Sequence, residues 1–353
     1  MKEIKIADKK IGKNNPCFVI AEAGVNHNGK LKLAKKLVDA AVDAGADAVK
    51  FQTFKAEELQ FKGTDKPKYQ QENTEKNVDY FDLLKSLESN YKDQVKIARY
   101  CKKKGIIFLS TPYERDSVDF LDKKINVPAF KLASIELTNH RFIKYIAHTG
   151  KPIILSTGLG NMANVEKVVK IARRDGFANR LILLQCTSDY PTKPSEINLK
   201  VLNTFQEKYP DILFGFSDHT PNDVASIGAV SLGAVIVEKH FTLDRNLKGP
   251  DHSSSLEPKE LKEWINHIRI IEKSLGSEQK FLTCSEKGNL SMKKYLVIGG
   301  KHKKGEMIKD EMLTEKRTGR GILPMEENLE KIIGKKLKMD IGQESILTWD
   351  MIE

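Results

Sequence analysis

Three features of the sequence predict a (β/α)8 barrel followed by a small β-rich domain. Eight short apolar runs recur along the first 240 residues, segments with helical spacing separate them, and beyond Gly276 the texture changes to short β-like pieces with glycine turns. Strand and helix patterns that alternate in this way call for a parallel sheet, and eight repeats are the number that closes it. An open doubly wound sheet is the competing architecture, disfavoured because no GxGxxG string follows the first strand.

Taken in order, residues 3–13 alternate apolar and polar positions around Asp8-Lys9-Lys10 and read as a short hairpin. The apolar runs follow at 17–21, 46–51, 106–109, 129–132, 152–155, 181–184, 212–216 and 234–237. Helical spacing marks 31–44, 91–103, 165–173 and 224–232 between them. Residues 256–275, with Trp264, Ile268 and Ile271 on one face, form the closing helix. The expected domains are thus a barrel over 1–276, a polar, irregular linker over 277–294, and a compact second domain over 295–353 with a helix at 326–333. Residues 307–313 and 346–352 share one pattern, a faint internal echo.

Composition narrows the function classes. A chain of 353 residues suits one large domain and one small one. No run of about 18 apolar residues occurs, and the first six residues lack a signal-peptide core, so a cytoplasmic protein without membrane spans is expected. The net charge of +11 is spread over interleaved Lys and Asp/Glu without a long basic tract, which argues against nucleic acid and leaves a solvated surface or attraction of anionic metabolites. Cys17, Cys101, Cys186 and Cys284 lie far apart without a CxxC pair, so reduced thiols are expected.

Catalytic groups of such barrels sit at the C-terminal strand ends, and there the sequence turns strongly polar. The first run is followed by Glu22 and Asn26-His27-Asn28-Gly29, the second by Lys50 and Gln52, the third by Ser110-Thr111-Pro112, and the fourth by Lys131, Ser134 and Glu136. Ser156-Thr157-Gly158, Thr187-Ser188-Asp189-Tyr190, Ser217-Asp218-His219 and Glu238-Lys239-His240 close the other four, with Asp251-His252 in a loop beyond. His219 and His240 end two successive strand patterns, a placement from which one divalent metal can be held with most of its coordination left open. Two lysines with several hydroxyls supply the charge and donors that a phosphate needs. Glu22, flanked by apolar residues, is a candidate proton acceptor or water-orienting group, or else a salt-bridge partner for Lys50 or Lys131. Glu238 is placed to orient a lysine or an imidazole. His27 reads as part of a turn that caps the next helix.

The strings Ala21-Glu22-Ala23-Gly24-Val25-Asn26-His27-Asn28-Gly29, Val49-Lys50-Phe51-Gln52-Thr53, Cys186-Thr187-Ser188-Asp189-Tyr190-Pro191, Ser217-Asp218-His219-Thr220, Glu238-Lys239-His240-Phe241-Thr242 and Gly249-Pro250-Asp251-His252 together resemble the sialic acid synthase family, over essentially the whole chain. The resemblance implies a (β/α)8 barrel with an antifreeze-like (SAF) domain, a domain-swapped homodimer, and condensation of phosphoenolpyruvate with N-acetylmannosamine or a related N-acylated amino sugar. It implies that His219 and His240 hold a divalent metal, typically Mn2+ with Mg2+ or Co2+ as alternatives. Catalytic work would fall to Glu22, Lys50, Lys131, Glu136 and Glu238. Phosphoenolpyruvate would lie among Lys50, Thr111, Lys131, Ser134, Ser156, Ser188 and Ser217, and the open-chain sugar among Gln52, Tyr190, Asp251 and Arg317. Arg317 stands in Lys316-Arg317-Thr318-Gly319, where the family has proline in place of Thr318.

Two other classes stand beside this reading: a metal-dependent barrel aldolase that uses pyruvate and releases no phosphate, and a non-catalytic carbohydrate-binding or ice-binding protein. Within the family, the alternative acceptors are a 6-phosphorylated sugar and a 2,4-diacetamido-2,4,6-trideoxyhexose leading to legionaminate or pseudaminate. Residues 66–77, with Tyr69-Gln70-Gln71 and Asn73-Thr74, are the expected discriminating loop. No separate basic cluster for a 6-phosphate stands out, which favours an unphosphorylated sugar.

Overall fold

The polypeptide divides into two units, Met1–Gly276 and Ser277–Glu353, in a computed structural model that describes residues 2–74 and 77–353. In the first unit, β1 (Ile4–Ile6) and β2 (Lys9–Ile11) form an antiparallel hairpin. Eight strands follow: β3 (Phe18–Gly24), β4 (Ala48–Thr53), β5 (Ile107–Pro112), β6 (Phe130–Leu132), β7 (Ile153–Ser156), β8 (Leu181–Cys186), β9 (Leu213–Asp218) and β10 (Ile236–His240). They pair in parallel in the order β5-β4-β3-β10-β9-β8-β7-β6, and β5 lies against β6, so the sheet curls into a near-closed (β/α)8 barrel.

Side-chain alternation along each strand produces two cores. Phe18, Ile20, Ala48, Leu109, Ile154, Ile182 and Ile236 pack inside the barrel, and Ile4, Ile6 and Ile11 of the hairpin join that cluster. Val19, Ala21, Val49, Phe51, Leu155, Leu183 and Val237 face the surrounding helices instead. Gly215 is required in the interior, because a Cβ there would collide with the Ile236 carbonyl and come within 2.8 Å of Leu184.

The helices of the shell include Leu31–Ala44, Tyr91–Lys104, Met162–Arg174 and Val224–Ser231, close to the sequence expectation. The closing helix runs from Pro258 to Leu275, two residues later than expected at its start, because Pro258 takes the first turn and Glu257 and Glu260 form a capping box. It buries Leu261, Trp264, Ile265 and Ile268, whereas Ile271 is only partly buried.

Between β4 and the helix Tyr91–Lys104 the chain adds three short helices, Ala56–Leu59, Lys68–Asn73 and Tyr80–Leu87. The expected discriminating loop falls here; of its residues, Glu75 and Lys76 lie outside the described ones. The insert's helices escape periodicity because each spans eight residues or fewer. Val25, Phe54, Ala56, Leu84 and Leu87 form a small apolar cluster under this insert.

The second unit has its own sheet, ordered β12-β11-β13, from β11 (Lys294–Ile298), β12 (Leu313–Arg317) and β13 (Ser345–Ile346). Leu296, Ile298, Ile308, Ile332, Leu337 and Leu347 fill its core, beside the helix Glu326–Ile332. The echo in the sequence is structural: Ile308 and Leu347 are both buried, and each precedes a single 3-10 turn, Asp310–Met312 and Trp349–Met351. The segment expected to be an irregular linker carries a capped helical turn, Cys284–Lys287, before β11 begins.

Candidate active site

Towards the C-terminal ends of the strands, the inward positions that are apolar lower in the barrel become polar and line a cavity of about 540 Å³. Glu22, Lys50, Lys131 and Glu238 lie at its floor and are almost wholly buried. Lys50 Nζ is 2.8 Å from Glu22 Oε2 and 3.7 Å from Glu238 Oε1, and it donates to Thr111 Oγ1 at 3.0 Å. Lys131 Nζ lies 3.3 Å from Glu238 Oε1 and donates to the Leu132 carbonyl at 3.2 Å. Of the two salt bridges open to Glu22, the fold makes the one with Lys50.

Burying four charges is costly, and their mutual attraction sets the protonation pattern. Burial lifts Glu22 to about 7 against the pull of Lys50, and the Glu238 charge adds to the rise. For Glu238 burial acts in the same sense, yet Lys131 and Lys50 outweigh it and hold the carboxyl below its ordinary range. Burial lowers Lys131, and Glu238 offsets this only in part; for Lys50, Glu22 and Glu238 together overcome burial and raise it.

Four serine hydroxyls, one after β6 and three from the ends of β7, β8 and β9, line the same cavity. Ser134 Oγ accepts from the Gly158 amide at 3.1 Å, and Ser217 Oγ donates to Glu238 Oε1 at 3.4 Å. Ser156 Oγ is buried with no hydrogen-bond partner among the described residues. Ser188 also lines the cavity, close to Gly158: a Cβ at Gly158 would collide with Ser188 Oγ and approach Ser134 Oγ to 2.8 Å. The glycine lets both hydroxyls close on the backbone at this point, which any larger residue would push aside.

His219 and His240 meet in the cavity wall, with ring centroids 5.6 Å apart. His219 Nδ1 donates to the Thr187 carbonyl at 2.7 Å, which fixes the tautomer and leaves Nε2 as the lone-pair nitrogen. His240 Nδ1 is buried without a hydrogen-bond partner, 4.0 Å from Asp251 Oδ2. Burial, reinforced by the Lys50 and Lys131 charges, holds His240 well below its ordinary value, in the neutral state that coordinates a metal. Among the described residues no group of three or more His, Cys, Asp or Glu side chains is arranged for a metal, and the two imidazoles are the pair that would have to hold one. An orphaned, neutral ring nitrogen beside a second free lone pair fits a divalent ion whose other positions are filled by substrate and water.

Gln52 Nε2 donates to Glu22 Oε1 at 3.3 Å. Tyr190 lies over His219 at 4.0 Å and reaches Tyr69 of the insert at 4.8 Å, so a row of rings leads outward from the histidines. Burial raises Asp251 to about 6. Its loop is tied to the insert by Asn73 Nδ2, which donates to the Pro250 carbonyl at 3.1 Å.

Two candidates, Glu136 and Arg317, stand elsewhere, and His27 lies in the turn expected for it. Glu136 is not in the cavity wall: it lies in the 3-10 turn Ser134–Thr138 and accepts from Asn139 Nδ2 at 2.8 Å, which steadies the cap of the following helix. The turn abandons strand alternation after Ser134, so parity does not carry Glu136 inward. His27 is buried outside the cavity, and its Nδ1 accepts from the Gly29 amide at 3.0 Å. Arg317 is exposed at the end of β12 in the second unit. Sequence reasoning missed Tyr80, Tyr113 and Cys186 as cavity residues. The signal for Tyr113 and Cys186 was position, since the one directly follows β5 and the other ends β8.

This architecture and cavity define the class as a (β/α)8 protein with its site on the C-terminal rim. Residues 37–280 match the NeuB family, and the chain belongs to it. It is 42% identical over 327 residues to the N,N'-diacetyllegionaminic acid synthase of Campylobacter jejuni, covering 92% of this chain and 97% of that one. It is also 34% identical over 349 residues to the N-acetylneuraminate-9-phosphate synthase of Homo sapiens, covering 97% and 94%. The crystal structure of N-acetylneuraminic acid synthetase from Leptospira borgpetersenii, 34% identical, superposes with a TM-score of 0.71 over 82% of this chain and 96% of that one.

Proposed function

We propose that this protein is a phosphoenolpyruvate-dependent nonulosonate synthase, which joins phosphoenolpyruvate to an N-acylated amino sugar to give a nine-carbon 2-keto sugar acid and phosphate. The observation that carries the reading is the buried Lys50–Glu22–Glu238–Lys131 array in the cavity that Ser134, Ser156 and Ser188 also line. Two cations with an open hydroxyl cradle suit a small ligand bearing both a phosphate and a carboxylate. Membership of the NeuB family and similarity to synthases of three different acceptors support the reaction class.

Lys50 and Lys131 neutralise the phosphoenolpyruvate anion and hold its C3 towards the acceptor's aldehyde carbon. His219 and His240 would hold a divalent ion, which supplies Lewis-acid polarisation of that aldehyde. As the new carbon–carbon bond forms, C2 becomes cationic, and the Glu22 and Glu238 carboxylates stabilise it. Glu22 takes the proton of the water that adds to C2, and the tetrahedral intermediate then expels phosphate by carbon–oxygen cleavage.

The acceptor is read as unphosphorylated. Val25, Phe54, Leu59, Leu84 and Leu87 line the outer cavity, and Lys68 is the cation the insert brings to it among the described residues. That apolar wall favours a second, finer reading, in which the acceptor is a 2,4-diacetamido-2,4,6-trideoxyhexose whose methyl groups meet it. Domain swapping, with Arg317 of one copy serving the cavity of another, is supported by the Lys316-Arg317-Thr318-Gly319 string. No described helix is long and apolar enough to cross a membrane.

The test is phosphate release from enzyme, Mn2+ and phosphoenolpyruvate with N-acetylmannosamine, its 6-phosphate and the diacetamido sugar in turn. Release with one of them supports the reading; turnover of pyruvate without phosphate would make the protein an aldolase, and no reaction with any acceptor would end the proposal.

A further inference from the structure

We infer that Asp218, Thr220 and Lys239 form a positioning lock that holds the His219 and His240 imidazoles at one separation and orientation. The inference rests on the metal-binding role proposed for that pair. Asp218 directly precedes His219, Lys239 directly precedes His240, and the two stand opposite one another in the pairing of β9 with β10. Alternation that sends Glu238 and His240 into the cavity sends Lys239 to the helix-facing side.

There the two residues meet in a closed network. Asp218 is 0% and Lys239 2% exposed, and Lys239 Nζ lies 3.0 Å from Asp218 Oδ2. Asp218 Oδ1 accepts from the Thr220 amide at 2.8 Å and from Thr220 Oγ1 at 2.7 Å, which closes a turn around His219. Lys239 Nζ donates to the Thr220 carbonyl at 2.6 Å, so the residue before one histidine grips the turn that presents the other. Ser226, from the helix Val224–Ser231, donates to Asp218 Oδ2 at 2.6 Å. On the far side, the His219 carbonyl accepts from the Thr192 amide at 2.9 Å.

Stability alone does not account for this network. A buried ion pair is commonly matched or surpassed in stability by apolar residues of equal volume, and the surrounding layer is otherwise built of Val237, Phe241 and Phe216. What the charges add is direction: an ammonium with three donors and a carboxylate with fixed lone pairs hold the Thr220 backbone in one orientation, which side-chain packing does not. Of the eight histidines in the chain, the two with this support are the pair that meets in the cavity wall.

Lys239→Met alone strands a buried carboxylate, so the decisive variant is Asp218→Asn/Lys239→Met, which removes both charges; Ser226→Ala is the milder companion. Arg269→Met is the control, since Arg269 bonds Asp47 at 2.9 Å and the Cys17 carbonyl at 2.7 Å at the opposite end of the barrel. Full-length protein with isotope-labelled histidine is compared by ring carbon–proton NMR, and Mn2+ affinity is measured by electron paramagnetic resonance of the free ion. The expected result is that the His219 and His240 ring signals of the double variant move or broaden, those of His27 and His252 stay, and Mn2+ binding weakens at least about tenfold. The control should lose thermal stability and keep both wild-type signals and Mn2+ affinity. Unmoved ring signals, or a control that loses as much affinity as the double variant, would overturn the lock. Displaced rings in a protein whose wild type binds no Mn2+ would leave the lock standing and remove the metal reading instead.

Discussion

Glu22 is the residue whose burial bears most directly on the proposed reaction. Because it is lifted to about 7, it is protonated, and useless as a base, once the pH falls below that value. Activity should therefore show an acidic limb with its midpoint near pH 7. In Glu22→Gln that limb should vanish, with kcat lower by about 10²- to 10⁴-fold, as pH–rate profiles of both proteins would reveal. Gly158 makes a steric prediction: Gly158→Ala should weaken phosphoenolpyruvate binding by about 10- to 100-fold, roughly 1.4–2.8 kcal/mol, by forcing the Ser134 and Ser188 hydroxyls aside. Wild-type affinity in that variant, measured by titration calorimetry, would mean that the anion does not enter the cradle. At this scale the sequence was informative where strand parity applied, as for Glu22, Lys50 and Glu238. It misplaced Glu136 because one 3-10 turn breaks the alternation.

The insert after β4 and the closing helix act as whole elements. Leu59, Leu84 and Tyr80 reach the cavity only because three short helices fold back over β4 and are stapled through Asn73 to Pro250. Replacing Leu59 by Ser removes one apolar contact from this wall. It should lower kcat/KM for a 6-deoxy diacetamido acceptor by about tenfold while N-acetylmannosamine changes less, since a lost apolar contact is worth about 1–3 kcal/mol. Equal losses on both acceptors would show that the wall does not discriminate. In the closing helix, Trp264 is 1% exposed, and Trp264→Ala should cost about 3–5 kcal/mol in chemical denaturation. The helix was predictable from its periodic apolar face, whereas the insert was not, because helices this short carry no period and are held by contacts with distant segments.

For the molecule as a whole, acid should be destabilising through imidazoles that play no part in the cavity. Burial depresses His27 and His252 to about 4, from an ordinary value of 6.5. The unfolded chain takes up protons below about 6.5 that the native state refuses until about 4, so stability is full above 6.5, declines through this window and levels off beneath it. Thermal midpoints measured from pH 7 to 4 should fall accordingly, and the fall should be smaller in His27→Gln. The alternation of eight apolar runs, the polar residues that end them and the change of texture after Gly276 are local properties, so the sequence by itself determined the barrel, the small β unit and most of the rim residues. Which charges pair, which imidazole nitrogen is free, and how the Asp218–Lys239 pair grips the turn at His219 depend on strands from distant parts of the chain coming into register. Only the tertiary structure decided these, because burial and distance, which set both pairing and protonation, do not exist until the barrel closes.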